Sequence, residues 1–426
     1  MGKSLDRPFL IFRQSRQNRY TIPVLLGALE RENLIDEFDI LLARSVEEIP
    51  SIPPSSGMII AFSFMTPQLE SILEEIRQLR RSRLSRAIFL AGGPHPTADP
   101  QGTARLGFDF VFIGEGERSL PGFLRRFLAG TLPSDSLIQS AAPIELDDYP
   151  PFPSKGKFFS PIEITRGCLY RCAFCQTPRI FGPPLRHRSP KGLKRLIQKA
   201  ASRGYGQAFF RSPNAFAYCN EREAVPNLPA MEELFQVCFE GGVRRLHFGC
   251  FPSEVRPDWV TAEALSLVRK YCSNRTIVLG AQSGSDALLS RLGRRHTALQ
   301  ALQACQTIRQ CGFTPHVDFV FGFPGETAED RQRSLSLMER MILEHGARIH
   351  AHTYLPLPGT PLFGETPSSL DESTRRALIE WEKKGKLDGW WREQEEMAWK
   401  IIRWRDEGMI QSLRGNSFTL DTSQFI

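Results

Sequence analysis

Three cysteines fall within eight residues, at Cys168, Cys172 and Cys175, and none occurs in residues 1–167. Thiolates at this C-x3-C-x2-C spacing on one loop can each hold one iron of a cubane iron–sulfur cluster. The fourth iron then has no nearby cysteine and stays open to an exogenous ligand, which makes the site suited to chemistry on that ligand. Two other readings stand beside this one. A structural zinc ion prefers four ligands, typically from paired C-x2-C units, and no partner pair lies nearby. A chance grouping is the other, and the position directly after a strand candidate in a β/α series argues against both. The remaining cysteines, Cys219, Cys238, Cys250, Cys272, Cys305 and Cys311, stand singly in apolar or amphipathic contexts and read as small buried hydrophobes. A disulfide framework is not expected in a large chain without an export signal.

The elements that must position this loop follow from hydrophobic patterning. At 426 residues the chain is long enough for two or three domains, and 41% hydrophobic against 24% charged residues permits full cores. Residues 7–130 alternate apolar strand candidates (8–12, 38–43, 57–64, 86–93 and 108–114) with amphipathic segments. In one of these segments Leu69, Ile72, Leu73, Ile76 and Leu79 share a helical face. Near-continuous apolar strands separated by helices imply an α/β domain, a doubly wound, Rossmann-like parallel sheet covered on both faces. Ligands of such sheets sit at the carboxyl ends of the strands, which here read SFMTP, AGGPHPTADP and IGEGE. This domain is assigned to residues 1–135, and a proline- and serine-rich linker to 136–157. From 158 to 366 a second β/α series has six strand candidates, at 160–167, 206–212, 244–250, 275–282, 316–323 and 347–355. It suggests an open, partial (β/α)6 TIM-type barrel with its chemistry at the carboxyl ends of the strands. Residues 367–426 form a helical extension holding Trp381, Trp390, Trp391, Trp399 and Trp404, five of the six tryptophans. These read mainly as packing residues.

Charge and hydropathy bound the partners. A net charge of +7 permits an acidic substrate but does not require one, and no RNA-binding signature accompanies it, so nucleic acid is not an expected partner. No apolar run reaches the roughly 20 residues that span a bilayer. The first twenty residues lack the pattern of a secretory leader, so a cytoplasmic protein without membrane contact is expected.

Four motifs in order carry a resemblance. The segment from Cys168 to Cys175, with Phe174 before its last cysteine, resembles the radical S-adenosylmethionine (SAM) signature. Residues 279–285 (LGAQSGS) with 292–297 (LGRRHT), residues 318–327 (DFVFGFPGET) and residues 354–361 (YLPLPGTP) resemble the fourth-, fifth- and sixth-strand segments of elongator-protein-like radical SAM proteins. The resemblance implies a [4Fe–4S] cluster on Cys168, Cys172 and Cys175, with SAM chelating the open iron and cleaved by the cluster's electron to a 5′-deoxyadenosyl radical. It places Phe174 near the adenine, Gln282 and Ser283 facing SAM, and Gly322, Pro324 and Gly325 in the turn beside the adenosine. The family's GGE-like turn after the second strand is replaced here by residues 211–214 (RSPN), where Ser212 or Asn214 would take over the SAM amino group.

The N-terminal region resembles the cobalamin-binding domain that precedes the barrel in many radical SAM enzymes. Residues 91–97 (AGGPHPT) and 113–117 (IGEGE), with Ser63 and Thr66, carry that likeness. It implies cobalamin contacts from Ser63, Thr66, Gly92, Gly93, His95, Gly114, Glu115 and Gly116; the glycines would let backbone approach a bulky ligand. A generic doubly wound domain whose glycines merely turn the chain is the plainer alternative. The D-x-H-x-x-G motif, whose histidine ligates cobalt from below in many such domains, is absent.

Together these features imply a cobalamin-dependent radical SAM enzyme, a methyltransferase in which methylcobalamin supplies a methyl group to an unactivated carbon. A small-molecule or peptide substrate and an external one-electron donor of the flavodoxin or ferredoxin type would be its partners. Related enzymes of this architecture catalyse rearrangement or cyclisation. A methylthiotransferase is the runner-up, but that group carries a second cluster on three N-terminal cysteines, which this chain lacks. A cluster- or cobalamin-bearing sensor is a third reading. No residue beyond the cofactors is named as catalytic.

Overall fold

Branched and aromatic runs set the strands of the N-terminal unit, and their burial is nearly complete: Leu10, Ile11, Ile59, Ile60, Phe89 and Val111 expose no surface. The computed structural model describes residues 7–50, 57–140, 142–182, 184–220 and 224–411. It divides into two compact units, Met1–Ser160 with Trp404–Ile426, and Pro161–Arg403. The first unit is built on β1 (Phe9–Arg13), β2 (Asp39–Ala43), β3 (Met58–Ser63), β4 (Ile88–Gly92), β5 (Phe110–Ile113) and β6 (Leu137–Gln139). They form one parallel sheet in the order β2-β1-β3-β4-β5-β6. The order reverses between β1 and β3, the topological switch of a doubly wound fold. Helix Leu69–Arg81 buries Leu69, Ile72, Ile76 and Leu79, the face its periodicity predicts. β6 arises within residues 136–157, and Ile144, Leu146 and Tyr149 from the same stretch are buried against Ala28.

The second unit begins with β7 (Ile162–Glu163), β8 (Thr165–Arg166), β9 (Arg186–His187), β10 (Gln207–Arg211) and β11 (Arg245–His247). It continues with β12 (Thr276–Gln282), β13 (Thr314–Phe321), β14 (Arg348–Thr353) and β15 (Leu387–Gly389). The parallel sheets β11-β10-β7 and β12-β13-β14-β15 are joined through residues 249–255. There Val278 N donates to Gly249 O, and Val255 N donates to Val278 O. The result is the open β/α barrel that the strand spacing predicts. Along β13, Val317, Phe319 and Phe321 are buried beneath helices Ala298–Gln310 and Ala328–His345. His316, Asp318 and Val320 alternate onto the concave side. The strand expected at 160–167 is split into β7 and β8, because Arg166 turns back into an antiparallel pair with Arg186. Among the described residues no helix is long and apolar enough to cross a membrane.

Candidate active site

The cysteine loop is held at both ends and along its length. β8 and β9 clasp it, Thr165 opposite His187. Gly167 turns the chain at φ +90, and a Cβ there would lie 2.6 Å from Pro184 O, so only glycine fits this approach. Between the first two cysteines, Tyr170 is fixed by three groups. Trp259 Nε1 donates to its hydroxyl at 2.7 Å, the hydroxyl donates to Asp258 Oδ2 at 3.0 Å, and the Arg256 guanidinium lies 3.3 Å from its ring centroid. Ala173 N donates to Leu292 O and Gln176 Nε2 to Pro358 O. The loop is thus stitched to two of the downstream motifs, which explains why those segments accompany the cysteines. Phe174 meets Phe323 at 5.3 Å between ring centroids and packs beside Leu288, Leu292 and Tyr354.

All three cysteines carry free thiols, and Cys172 is buried. Burial pushes the Cys175 thiol up to about 11, and the neighbouring Cys172 and Cys168 add to the rise. Burial, and then Cys172, raises Cys168 too. Among the described residues the three sulfurs do not lie within 4.8 Å of one another. Arg294 points one guanidinium nitrogen at Cys172 Sγ (3.7 Å) and donates the other to Gly280 O (2.6 Å).

The other residues expected around SAM divide by what they touch. Gln282 ends β12 at φ +71, a left-handed backbone rare outside glycine, at a register shift against β13. A methyl group placed on Gly280 would lie 2.9 Å from Gln282 Nε2, 3.2 Å from Glu254 Oε2 and 3.3 Å from Arg294 Nη2, so these three side chains converge there. Asn214 Oδ1 accepts from Arg256 N, while its Nδ2 is buried without a partner. That orphan donor could serve a ligand acceptor. Ser212 and Ser283 are committed internally, Ser212 to Asn214 O and Ser253, Ser283 to Ser334 and the Ser285 amide. Gly322 turns at φ +77 with its amide donated to Glu326, and the carbonyls of Pro324 and Gly325 accept from Arg291. On the concave side, burial raises Glu254 and holds Asp318 well above the usual carboxylate range, partly opposed by Arg294. Burial would also raise Glu163, but Arg166 and Arg211 override it and keep the carboxylate ionised. Glu254, Arg256, Asp258 and Trp259 carried no motif and were not anticipated. Arg294 lay inside one of the four motifs without an assigned role.

In the first unit, Ser63 and Gly92 stand in register at the carboxyl ends of β3 and β4, with Gly114 following β5. A Cβ on Gly92 would make ordinary van der Waals contact with Phe112 Cβ at 3.8 Å and Phe62 O at 4.0 Å. A Cβ on Gly93, which turns at φ +101, would lie 2.9 Å from Phe64 N and O and from Ser63 Oγ, and the Gly114 amide donates to Thr97. His95 exposes no surface. Its Nδ1 lies 3.0 Å from Thr66 Oγ1, its ring stacks on Phe64, its Nε2 is an orphan, and burial pushes its pKa down to about 3. Glu115 is buried and accepts from Ile144 N, and a Cβ on Gly116 would press on Leu25. A cleft of about 140 Å³ opens at the switch point, lined by Arg13, Asn18, Ser63, Gln68 and Glu75. Ser63 is the one expected contact that lines it.

Residues 162–338 match the Radical SAM superfamily and residues 54–124 match the B12 binding domain. A tRNA-2-methylthio-N(6)-dimethylallyladenosine synthase from Thermus thermophilus is 28% identical over 370 residues, spanning 82% of this chain and 74% of the relative. A ribosomal protein uS12 methylthiotransferase RimO from Moorella thermoacetica is 26% identical, with 85% and 80% of the two chains covered. Among solved structures, the radical SAM methyltransferase TsrM of Kitasatospora setae, with tryptophan substrate and a SAM analogue bound, superposes with a TM-score of 0.60 at 16% identity. It covers 83% of this chain and 75% of its own. The cobalamin-dependent radical enzyme OxsB with aqua-cobalamin bound gives 0.59 at 16% identity, covering 89% and 56%. At such identities these two establish shared architecture. Laid over the two observed units, these matches give the chain a radical SAM domain at residues 162–338 and a B12 binding domain at residues 54–124, domain types that take a [4Fe–4S] cluster with SAM and cobalamin.

Proposed function

We propose that this protein is a cobalamin-dependent radical SAM methyltransferase acting on an unactivated carbon of a small-molecule or peptide substrate. One observation carries the reading. A single cysteine triad in the barrel accompanies a B12-binding domain, and residues 1–167 contain no cysteine for a second cluster. When bound, the cluster and methylcobalamin supply the reductive cleavage of SAM and the methyl group.

The chain's own part is to ligate, orient and exclude water. Cys168, Cys172 and Cys175 hold the cluster, with Arg294 beside Cys172 offsetting its negative charge. Phe174 gives the adenine an apolar wall backed by Phe323. Asn214 Nδ2 and the Gln282 side chain meet the polar end of SAM, and Ser212, Ser283, Gly322, Pro324 and Gly325 shape the turns that carry them. Ser63, Gly92 and Gly114, at the carboxyl ends of the strands, would hold the cobalamin, while Thr66, Gly93, His95, Glu115 and Gly116 set the loops behind them. The setting is the cytoplasm, where a flavodoxin or ferredoxin supplies electrons.

A methylthiotransferase acting on tRNA or a ribosomal protein is the second reading, favoured by the names of the sequence relatives. Anaerobic assays with reductant separate the two. Methyl transfer predicts that release of S-adenosylhomocysteine depends on added hydroxocobalamin. Release that proceeds equally without cobalamin would favour the second reading.

A further inference from the structure

His316, His350 and Asp388 stand on three adjacent, hydrogen-bonded strands of the barrel. His350 pairs in register with Asp388 across β14 and β15, and with Asp318 across β13 and β14. His316 lies two residues before Asp318, so strand alternation places all three side chains on one face of the sheet. Their ligand atoms all fall within 4.8 Å of one another, the one such trio of His, Cys or carboxylate groups among the described residues. His350 Nδ1 lies 2.5 Å from Asp388 Oδ1, and His316 Nε2 lies 3.5 Å from the same oxygen. A simple His–Asp hydrogen bond accounts for His350. It leaves His316 Nε2 shut from solvent and aimed at the same carboxylate oxygen from 3.5 Å, beyond the roughly 2.7–3.2 Å of a well-formed N–H···O bond.

We propose that these three side chains form a site for a divalent transition-metal ion of the zinc class, independent of the reaction above. Two imidazoles and one carboxylate suit such an ion and leave an open position for water. Tetrahedral bonds of about 2.0–2.2 Å set ligand atoms about 3.3–3.6 Å apart. The His316–Asp388 separation already has that value, and a rotation of the exposed Asp388 carboxylate would open the shorter contact. The neighbouring groups are compatible. His352 turns its Nδ1 to Gln394 Oε1, Asp318 lies on the same face, and Arg348 Nη2 lies 4.0 Å from the other Asp388 oxygen. Bound there, the ion would tie the three-residue β15 to the two long strands of the barrel.

The test uses the cluster-reconstituted full chain, loaded with Zn2+, desalted, and assayed for zinc, iron and cobalt by mass spectrometry in one sample. Wild type should retain about one zinc per chain. His316→Gln and Asp388→Asn should lose it with iron and cobalt unchanged, their zinc affinity falling by more than the roughly 100-fold that losing an outer-shell partner costs. His345→Gln, away from the trio, should retain it, and unchanged iron content reports that each variant folds. Wild-type protein that keeps no zinc would overturn the proposal. So would zinc that survives His316→Gln but disappears when Cys168, Cys172 and Cys175 are changed to alanine.

Discussion

Arg294 places its guanidinium 3.7 Å from the sulfur of Cys172 and is anchored on the carbonyl of Gly280. A buried cation beside a cluster ligand favours the reduced, more negative cluster. Arg294→Met should therefore retain the cluster and lower its reduction potential by tens of millivolts, on a scale where about 59 mV is a tenfold change for one electron. A redox titration followed by electron paramagnetic resonance reads this, and an unchanged potential would remove Arg294 from the account. Gly167 makes a steric prediction. With φ at +90 and a carbonyl 2.6 Å from where a Cβ would lie, Gly167→Ala should destabilise the loop by about 1–3 kcal/mol and reduce iron retention. Chemical denaturation and iron analysis measure both effects. Glu326 supplies a pH dependence: burial raises its carboxyl to about 7 despite the Gly322 amide and Arg331. The folded protein thus binds a proton that the unfolded chain releases near 4.5. Its contribution is fully present below that value and is lost as pH rises through about 7. Unfolding free energy should fall by a few kcal/mol between pH 5 and 8, because each pH unit separating the two carboxyl values is worth about 1.4 kcal/mol. Glu326→Gln should flatten the decline.

At the scale of elements, the cysteine loop owes its shape to segments far away in sequence. Trp259 and Asp258 grip Tyr170, while Leu292 and Pro358 take hydrogen bonds from the loop. Trp259→Phe keeps the buried ring and removes one hydrogen bond to Tyr170. It should cost about 1 kcal/mol and slow cluster reconstitution, whereas a variant reconstituting at the wild-type rate would show that the grip is dispensable. The four motifs of the barrel were legible because short spacings fix turns, and the strands because apolar runs fix burial. The grip was not legible, because an arginine, an aspartate and a tryptophan within four residues read as an ordinary turn until the fold brings Tyr170 to them. β6 and β15 were missed for a related reason. Each is three residues long, too short to show a period, and pairing with a neighbouring strand defines it. The split of β7 from β8 came from a long-range antiparallel pair that local patterning does not encode.

For the whole molecule, the order of a doubly wound domain and a partial barrel was readable from alternating strands and helices, because each parallel crossover needs its helix. The expected cofactor contacts were readable only in part. Gly92 and Ser63 sit side by side at the carboxyl ends of their strands, whereas His95 and Glu115 turned inward to Thr66 and Ile144. Sequence shows which residues are polar or small, but not which of them the interior claims. The central claim is that one chain holds both a cluster and a cobalamin, on separate sets of residues. The most direct measurement is the ultraviolet–visible spectrum and metal content of protein purified anaerobically and reconstituted with iron, sulfide and hydroxocobalamin. The spectrum is compared with that of the Cys168→Ala, Cys172→Ala, Cys175→Ala variant. The account predicts one [4Fe–4S] cluster and one cobalamin per wild-type chain, with the cluster alone lost from the variant. A wild-type chain that binds its cluster but no cobalamin would contradict it.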